Sequence, residues 1–269
     1  MILRRVIEHV KAQHWTAVAL DFVIVVLGVF IGIQVSNWNA EIADRRTETA
    51  YLKQLQGDLR NIQEEVAAQI EFEQFHANLA NDIYDLIQND VSAQRARKIN
   101  MGLNELTVRR TLRTQSPTFL DLQGSGKLEI ISDPALRAEI ISYFFRTSRL
   151  EAALDKNNTF FVDQAFVAFV LSKNVPPRRW DSALMNAQLP ASANVSSAFK
   201  EKAEQSPLYA AGGGFLAAPP DAEIWKEIVP QVAWRGLIAF NNESLAQRLS
   251  AATEDLEAKI ASRLEKRAP

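Results

Sequence analysis

Residues 16–35, TAVALDFVIVVLGVFIGIQV, decide how the rest of this chain is read. Asp21 is their one charged residue. At about 1.5 Å per residue, a helix of this length reaches about 30 Å, the thickness of a bilayer's hydrocarbon core. A helix also pairs its backbone groups internally, which a lone segment in lipid requires. The stretch therefore reads as a transmembrane helix over 16–36, after a cytoplasmic tail at 1–15 and before an extracytoplasmic domain at 37–269. A cleaved signal peptide fits the basic start but not the exit, because Val35-Ser36-Asn37-Trp38-Asn39 lacks a small-x-small site. A buried helix of a soluble protein is the remaining alternative.

The flanks set the orientation. Arg4, Arg5 and Lys11 outweigh Glu8 before the span, whereas Arg45 and Arg46 are outnumbered by Glu41, Asp44 and Glu48 after it. Basic residues beside a span stay in the cytoplasm, so the N-terminus is expected inside. Trp15 and Trp38 bracket the span as amphipathic rings do at a membrane surface. Gln34, Asn37 and Asn39 surround Trp38 with amides, and interface anchoring is the expected role of this polar exit.

Beyond Asn39 the pattern is helical. Leu52, Leu55, Leu59, Ile62, Val66 and Ile70 fall three and four residues apart, one stripe of a helix. Phe72, Phe75, Leu79, Ile83, Leu86 and Ile87 extend it. No proline occurs from Asn39 to Ser116, so the first outer helix is expected from near Ala40 to about Asn89, continuous with the anchor. A second helix is expected over Arg95–Arg113. Ser116-Pro117 and Asp133-Pro134 are helix starts: each first residue can accept an orphan N–H, and proline in the first turn needs no partner. The helix after Pro134 is expected to reach about Leu171, with the apolar stretch Phe160–Leu171 deep in the core. Residues 178–220 are rich in proline and glycine and read as loop. A last helix follows Pro219-Pro220-Asp221, with Ile238, Leu245, Leu249, Leu256, Ile260 and Leu264 on one face. Lys127–Ile131 makes one short strand at most. The expected fold is all-α: one membrane helix, then a bundle of about four main helices with a loop-rich segment laid across it.

The run Val26-Leu27-Gly28-Val29-Phe30-Ile31-Gly32-Ile33-Gln34-Val35-Ser36-Asn37-Trp38-Asn39, with Tyr51–Leu55 and Asp58-Leu59 after it, resembles a bacterial family of unknown function. Phe119–Leu128 (FLDLQGSGKL) is a second similar piece. Members of that family look like single-pass membrane proteins with a helical outer domain. The resemblance implies a place in the bacterial inner membrane with the C-terminal domain in the periplasm. It brings no activity and no catalytic residue.

Composition narrows the chemistry. The 269 residues carry a net charge of −2, so no basic field invites nucleic acid. Without cysteine there are no disulfides, thiolate metal sites or cysteine nucleophiles. Gly124-Ser125-Gly126-Lys127 lacks the earlier glycine of a phosphate loop, and Leu128 stands where its Ser or Thr would be; it reads as a helix-ending turn. Glu73 and His76 share a helix face at metal-ligand spacing, but no second Glu-x-x-His accompanies them and a solvated face is expected. No Gly-x-Ser-x-Gly elbow occurs. Arg95, Arg97, Lys98, Arg109, Arg110 and Arg113 form a basic stretch whose expected role is pairing with nearby carboxylates. Gly212–Gly214, beside Tyr209 and Phe215, reads as a mobile binding loop or a plain connector. No cofactor and no metal are expected.

The membrane segment holds the sharper candidates. Asp21, Gly28, Gly32 and Ser36 return to nearly the same helical angle. Gly28-x-x-x-Gly32 lets a second helix approach closely. Asp21 is costly in hydrocarbon and seeks a polar partner or water. Helix association is therefore expected here, with a second copy or another membrane protein, besides the lipid bilayer itself. The leading expectation is a non-catalytic scaffold, sensor or assembly subunit. An accessory subunit of a proton-driven complex using Asp21 is the first alternative. An enzyme is the second, and a cavity lined by convergent ionisable residues would favour it.

Overall fold

The computed structural model describes residues 15–176 and 213–266, without the side chains of residues 15–19 and 21. The expected tail (1–15) lies outside the described residues but for Trp15, and so does most of the loop-rich segment (178–220). Helix dominates and no strand occurs among the described residues. The fold is all-α.

Helix α1 runs without a break from Trp15 to Asn89. Its 75 residues span about 110 Å. The apolar segment and the first bundle helix are thus one element, as the missing prolines predict. From Leu20 to Val35 the large apolar side chains stand exposed, which removes the buried-helix alternative. Further along, α1 buries Leu52, Leu55, Leu59, Ile62, Val66, Gln69, Glu73, His76, Ala80, Ile83 and Ile87. These positions alternate strictly by three and four, the heptad spacing of a coiled-coil seam. Helix α2 (Arg95–Glu105), α3 (Pro117–Gly124), α4 (Pro134–Asn157), α5 (Ala168–Ser172) and α6 (Glu223–Glu265) follow, with short 3-10 turns at Lys127–Ile130 and Gly214–Ala217. The 3-10 turn replaces the short strand expected near Lys127.

α6 answers α1 with the same spacing. Along one seam its buried residues run Trp225, Ile228, Val232, Arg235, Ala239, Asn242, Ala246, Leu249, Thr253, Leu256 and Ile260, with Ile238 buried beside it. The pair is antiparallel: Gln74 bonds Glu243, Gln63 bonds Ser250, and Arg60 pairs with Glu257 at successive levels. α6 continues through Pro230, which is exposed on the outer side of its first turns. At the crossing a Cβ on Gly236 would lie 2.7 Å from Ala80 Cβ. Gly236→Ala should therefore wedge the two helices apart. Its gain of about 1 kcal/mol in helix propensity is outweighed by about 1–3 kcal/mol of overpacking. The expected result is a lower thermal midpoint, recovered when Ala80→Gly is added.

α4 packs on α6 from the other side, with Tyr143 Oη 2.8 Å from Thr253 Oγ1 and Lys259 Nζ 2.9 Å from Glu139. Two starts work as the sequence indicates. Ser116 Oγ accepts from Phe119 N, and Asp133 accepts from Ala135 N and Leu136 N. α1 adds carboxylates to both ends: Asp58 accepts from Ser116 Oγ and Thr118 N, and buried Glu48 from Ser132 N and Oγ. Gly126 ends α3 in the left-handed region, φ +70°, so the glycine-lysine run is a turn.

The helix after Pro134 reaches Ser172, but residues Asn158–Val167 form a π-helix. Its wider turn explains why Asn158, Val162, Phe166 and Val170 are buried at four-residue spacing. The expectation of a deeply buried 160–171 is corrected here. Phe160, Phe161 and Leu171 are exposed, because among the described residues no helix lies against one side of this segment. The second helix also ends earlier than expected, at Glu105 and not Arg113. The chain beyond it is held extended by side chains: Arg235 donates to Leu106 O and Val108 O, Asn158 to Arg110 O, and Glu151 accepts from Thr114 N.

Candidate functional site

Two places concentrate polar chemistry. The first is the segment entering α1. Gly28 and Gly32 meet nothing within 4 Å, and Gln34, Ser36, Asn37, Trp38 and Asn39 are all exposed along an unbroken helix. The polar exit therefore does not break the span. Helical continuity keeps Asp21, Gly28, Gly32 and Ser36 near one face of α1. The side chains of Trp15 and Asp21 lie outside the described residues, and so does the alternative in which Asp21 binds a proton.

The second place differs from the solvated face expected of it. Glu73 and His76 are not on a solvated face; they are 1% and 0% exposed in the α1 seam. They belong to a polar layer that divides the core into two apolar clusters, one around Leu55, Tyr143 and Leu249, the other around Ile83, Phe166 and Trp225. Gln69 Nε2 donates to Glu73 Oε1 at 2.8 Å, and Asn242 Nδ2 donates to the same oxygen at 3.1 Å. Asn157 Nδ2 donates to Asn242 Oδ1 at 2.8 Å. Arg235, 2% exposed, donates through Nε and Nη2 to the carbonyls of Leu106 and Val108. His76 sits between two acceptors, with Nδ1 2.7 Å from Phe72 O and Nε2 3.2 Å from Glu105 O.

Burial shifts both titrating groups. It raises Glu73 to about 7, against the attraction of Arg235 and the bonds from Asn242 and Gln69. It lowers His76 to about 4, helped by the Arg235 charge and opposed by the two carbonyls. At neutral pH the imidazole is therefore uncharged. One ring nitrogen then carries the proton, and the shorter contact assigns it to Nδ1, donating to Phe72 O. Such perturbed groups often mark active sites. Here they are buried among α1, α2, α6 and the π-helix, within the packing of the bundle. Among the described residues no group of three His, Asp or Glu is placed to hold a metal ion.

The basic stretch is committed to structure, as expected. Arg109 pairs with Asp163, Arg110 with Glu65, Arg113 with Asp155 and Lys98 with Asp90, at 2.8–3.2 Å. Arg95 goes further than pairing. It is nearly buried, donates to the C-terminal carbonyls of Leu86 and Ile87 and to Ala218 O, and lies 5.4 Å from the Trp225 ring centre. One guanidinium thus caps α1 and fixes the segment leading into α6. Gly213 is left-handed at φ +76°, and a Cβ there would meet Leu216 and Pro176 within 3 Å, so this glycine of the triplet serves close packing.

Several grooves open on the described surface; a small one of about 300 Å³ gathers Asp82, Arg97, Lys98 and Glu105, and two are wider. One, of about 730 Å³ between α1 and α6, is lined by Ala77, Ala80, Tyr84, Gly236, Leu237 and Phe240 among others. The other, of about 1070 Å³ at the base of the bundle, sets Arg45, Arg46 and Lys266 against Glu41, Asp44, Glu48 and Glu129. The 730 Å³ groove has Glu243 as its one charged lining residue, and the 1070 Å³ groove carries charges of both signs.

Comparison with known proteins gives no match to a family model, to a curated protein or to a solved structure. The resemblance carried by residues 26–39, 51–59 and 119–128 rests on those residues alone.

Proposed function

We propose that this chain is a non-catalytic scaffold or assembly subunit, anchored in the bacterial inner membrane by residues 16–36, with its helical bundle on the periplasmic side. One observation carries the reading. The exposed apolar stretch and the bundle's central seam are the same uninterrupted helix. An apolar surface of this size is unsuited to water, and lipid is the solvent that matches its length. The bundle is then rigidly coupled to its anchor, so a partner bound to either end feels the position of the other. The sealed polar layer supports a structural role for the bundle's ionisable groups. Gly28 and Gly32, open on the helix surface, suit close approach by a second membrane helix, of a copy or of another membrane protein.

Alkaline extraction of membranes tests the anchor: the full-length protein should stay in the pellet. Protease added to spheroplasts should digest the bundle, since in this reading it lies on the periplasmic side. Recovery of an uncleaved protein in the supernatant would end the proposal.

A further inference from the structure

The outer ridge of α6 changes character along its length. From Arg248 onward its exposed residues include Arg248, Glu254, Asp255 and Lys259. Between Glu227 and Arg248 the ridge carries no charge: its outermost positions are Pro230, Ala233, Trp234, Leu237, Phe240 and Asn241. Trp234, Leu237 and Phe240 are 57%, 46% and 60% exposed. The facing rim of α1 presents Gln74, Asn78, Asn81 and Tyr84, with the exposed carboxylates of Glu71 and Asp85 only at its two ends. In a chain with 23% charged residues, a neutral aromatic surface spanning two helices needs a reason. Glu243 at its edge is bonded to Gln74 Nε2 and Gln247 Nε2, 2.8 Å each.

We propose that this ridge and the groove beside it are a self-association face, and that the occupant is a second copy of this chain. A two-fold interface brings each residue near the axis against its own kind, so any charge there meets a like charge. A ridge without charge meets itself at no such cost, and amides donate as readily as they accept. Shape agrees. The small residues Ala77, Ala80, Ala233 and Gly236 line the groove, while Leu237 and Phe240 project beside it. Each copy thus offers a knob next to a hole, the arrangement helices use when they interdigitate. The face is about 26 Å long and about 20 Å across two helices, which gives about 1,000 Å² buried by both copies, enough for a specific contact. The common height of the two ridges follows from anchoring both copies in one membrane and so rests on the function proposed above.

The absence of cysteine makes the test direct. In the purified full-length chain in mild detergent, Leu237→Cys supplies the sole thiol, and mild oxidation should link two copies. Asp82→Cys, exposed on the α2 side of α1, is the control for random encounter. The expected result is disulfide formation about tenfold or more faster at position 237, as removal of a central anchor should confirm when Phe240→Asp returns it to the control rate. Circular dichroism checks that Phe240→Asp keeps its helix, which its exposure predicts. Equal rates at 237 and 82, or a rate indifferent to Phe240→Asp with helix intact, would overturn the proposal and leave the ridge to a different partner. Alkaline extraction of the wild-type membranes reads the anchor separately. Its failure defeats the membrane reading, while the cross-link still judges this face.

Discussion

Arg235→Met is expected to destabilise the bundle by about 3–5 kcal/mol, the cost of breaking a buried charged network from one side. Methionine fills similar space and keeps the helix, so the loss falls on polar chemistry. The carbonyls of Leu106 and Val108 lose the donors that hold the chain extended after α2. Buried acceptors left without donors cost about 1–3 kcal/mol each. Glu73 also loses the cation that offsets its burial. The comparison is Arg60→Ala, which removes a pair with Glu257 in which Arg60 is 64% exposed. That change should cost under about 1 kcal/mol. Denaturant unfolding of the two variants in mild detergent measures both, as a fall in midpoint at constant slope. If Arg235→Met unfolds within the range of Arg60→Ala, the guanidinium does not hold this segment in place.

The polar layer has a structural logic beyond its own bonds. Two antiparallel helices with strict seven-residue repeats can slide by one repeat and still bury apolar residues. Here a slide one way would set Glu73 against apolar Leu249, and a slide the other way would bring it to Arg235 but strip it of Asn242. The layer thus favours one register of α1 on α6, as single polar seam residues do in coiled coils. Register matters more in this molecule than in a free coiled coil. α1 continues into the apolar segment, so a slide of the bundle would shift its height above the exit at Trp38.

Much of this was legible in the residues, and the misses have particular causes. Ser116-Pro117 and Asp133-Pro134 announced their helices because a cap and its proline act locally. The stripe from Leu52 to Val66 was correct, and its three-four spacing leads on to Gln69, Glu73, His76 and Ala80. Following apolar identity instead of spacing diverted it to Phe72 and Phe75, which are only half-buried. The same rule passed over Arg235 and Asn242 on α6. The early end of α2 and the π-helix after Asn158 depend on partners distant in sequence, Arg235 and Asn242 among them. No local pattern reports those. The exposed ridge of α6 was hidden for a related reason: only the packed fold says which apolar residues are left uncovered.

Glu73→Gln should turn a flat pH profile into a steep one. The folded value of Glu73 lies above its ordinary 4.5, at about 7, so the folded chain holds a proton there that the unfolded chain has released. Stability from this group is full below pH 4.5 and falls as pH rises toward 7, by about 3 kcal/mol in all. His76 works in the opposite sense. Its folded value of about 4 lies below the ordinary 6.5, so the unfolded chain takes up the proton first. Stability from the imidazole is full above 6.5 and falls as pH drops toward 4, again by about 3 kcal/mol. Between pH 4.5 and 6.5 the two slopes cancel, and the wild-type bundle should unfold at a nearly constant denaturant midpoint. The depressed carboxyls of Asp90 and Asp133 act below this window. Glutamine at position 73 can still accept from Gln69 and Asn242, and it cannot titrate. The slope of His76 is then uncovered, and stability should climb by about 3 kcal/mol from pH 4 to 6.5. Parallel profiles for variant and wild type would show that Glu73 does not carry a proton into the fold. The seam would then hold Glu73 ionised and paired with Arg235.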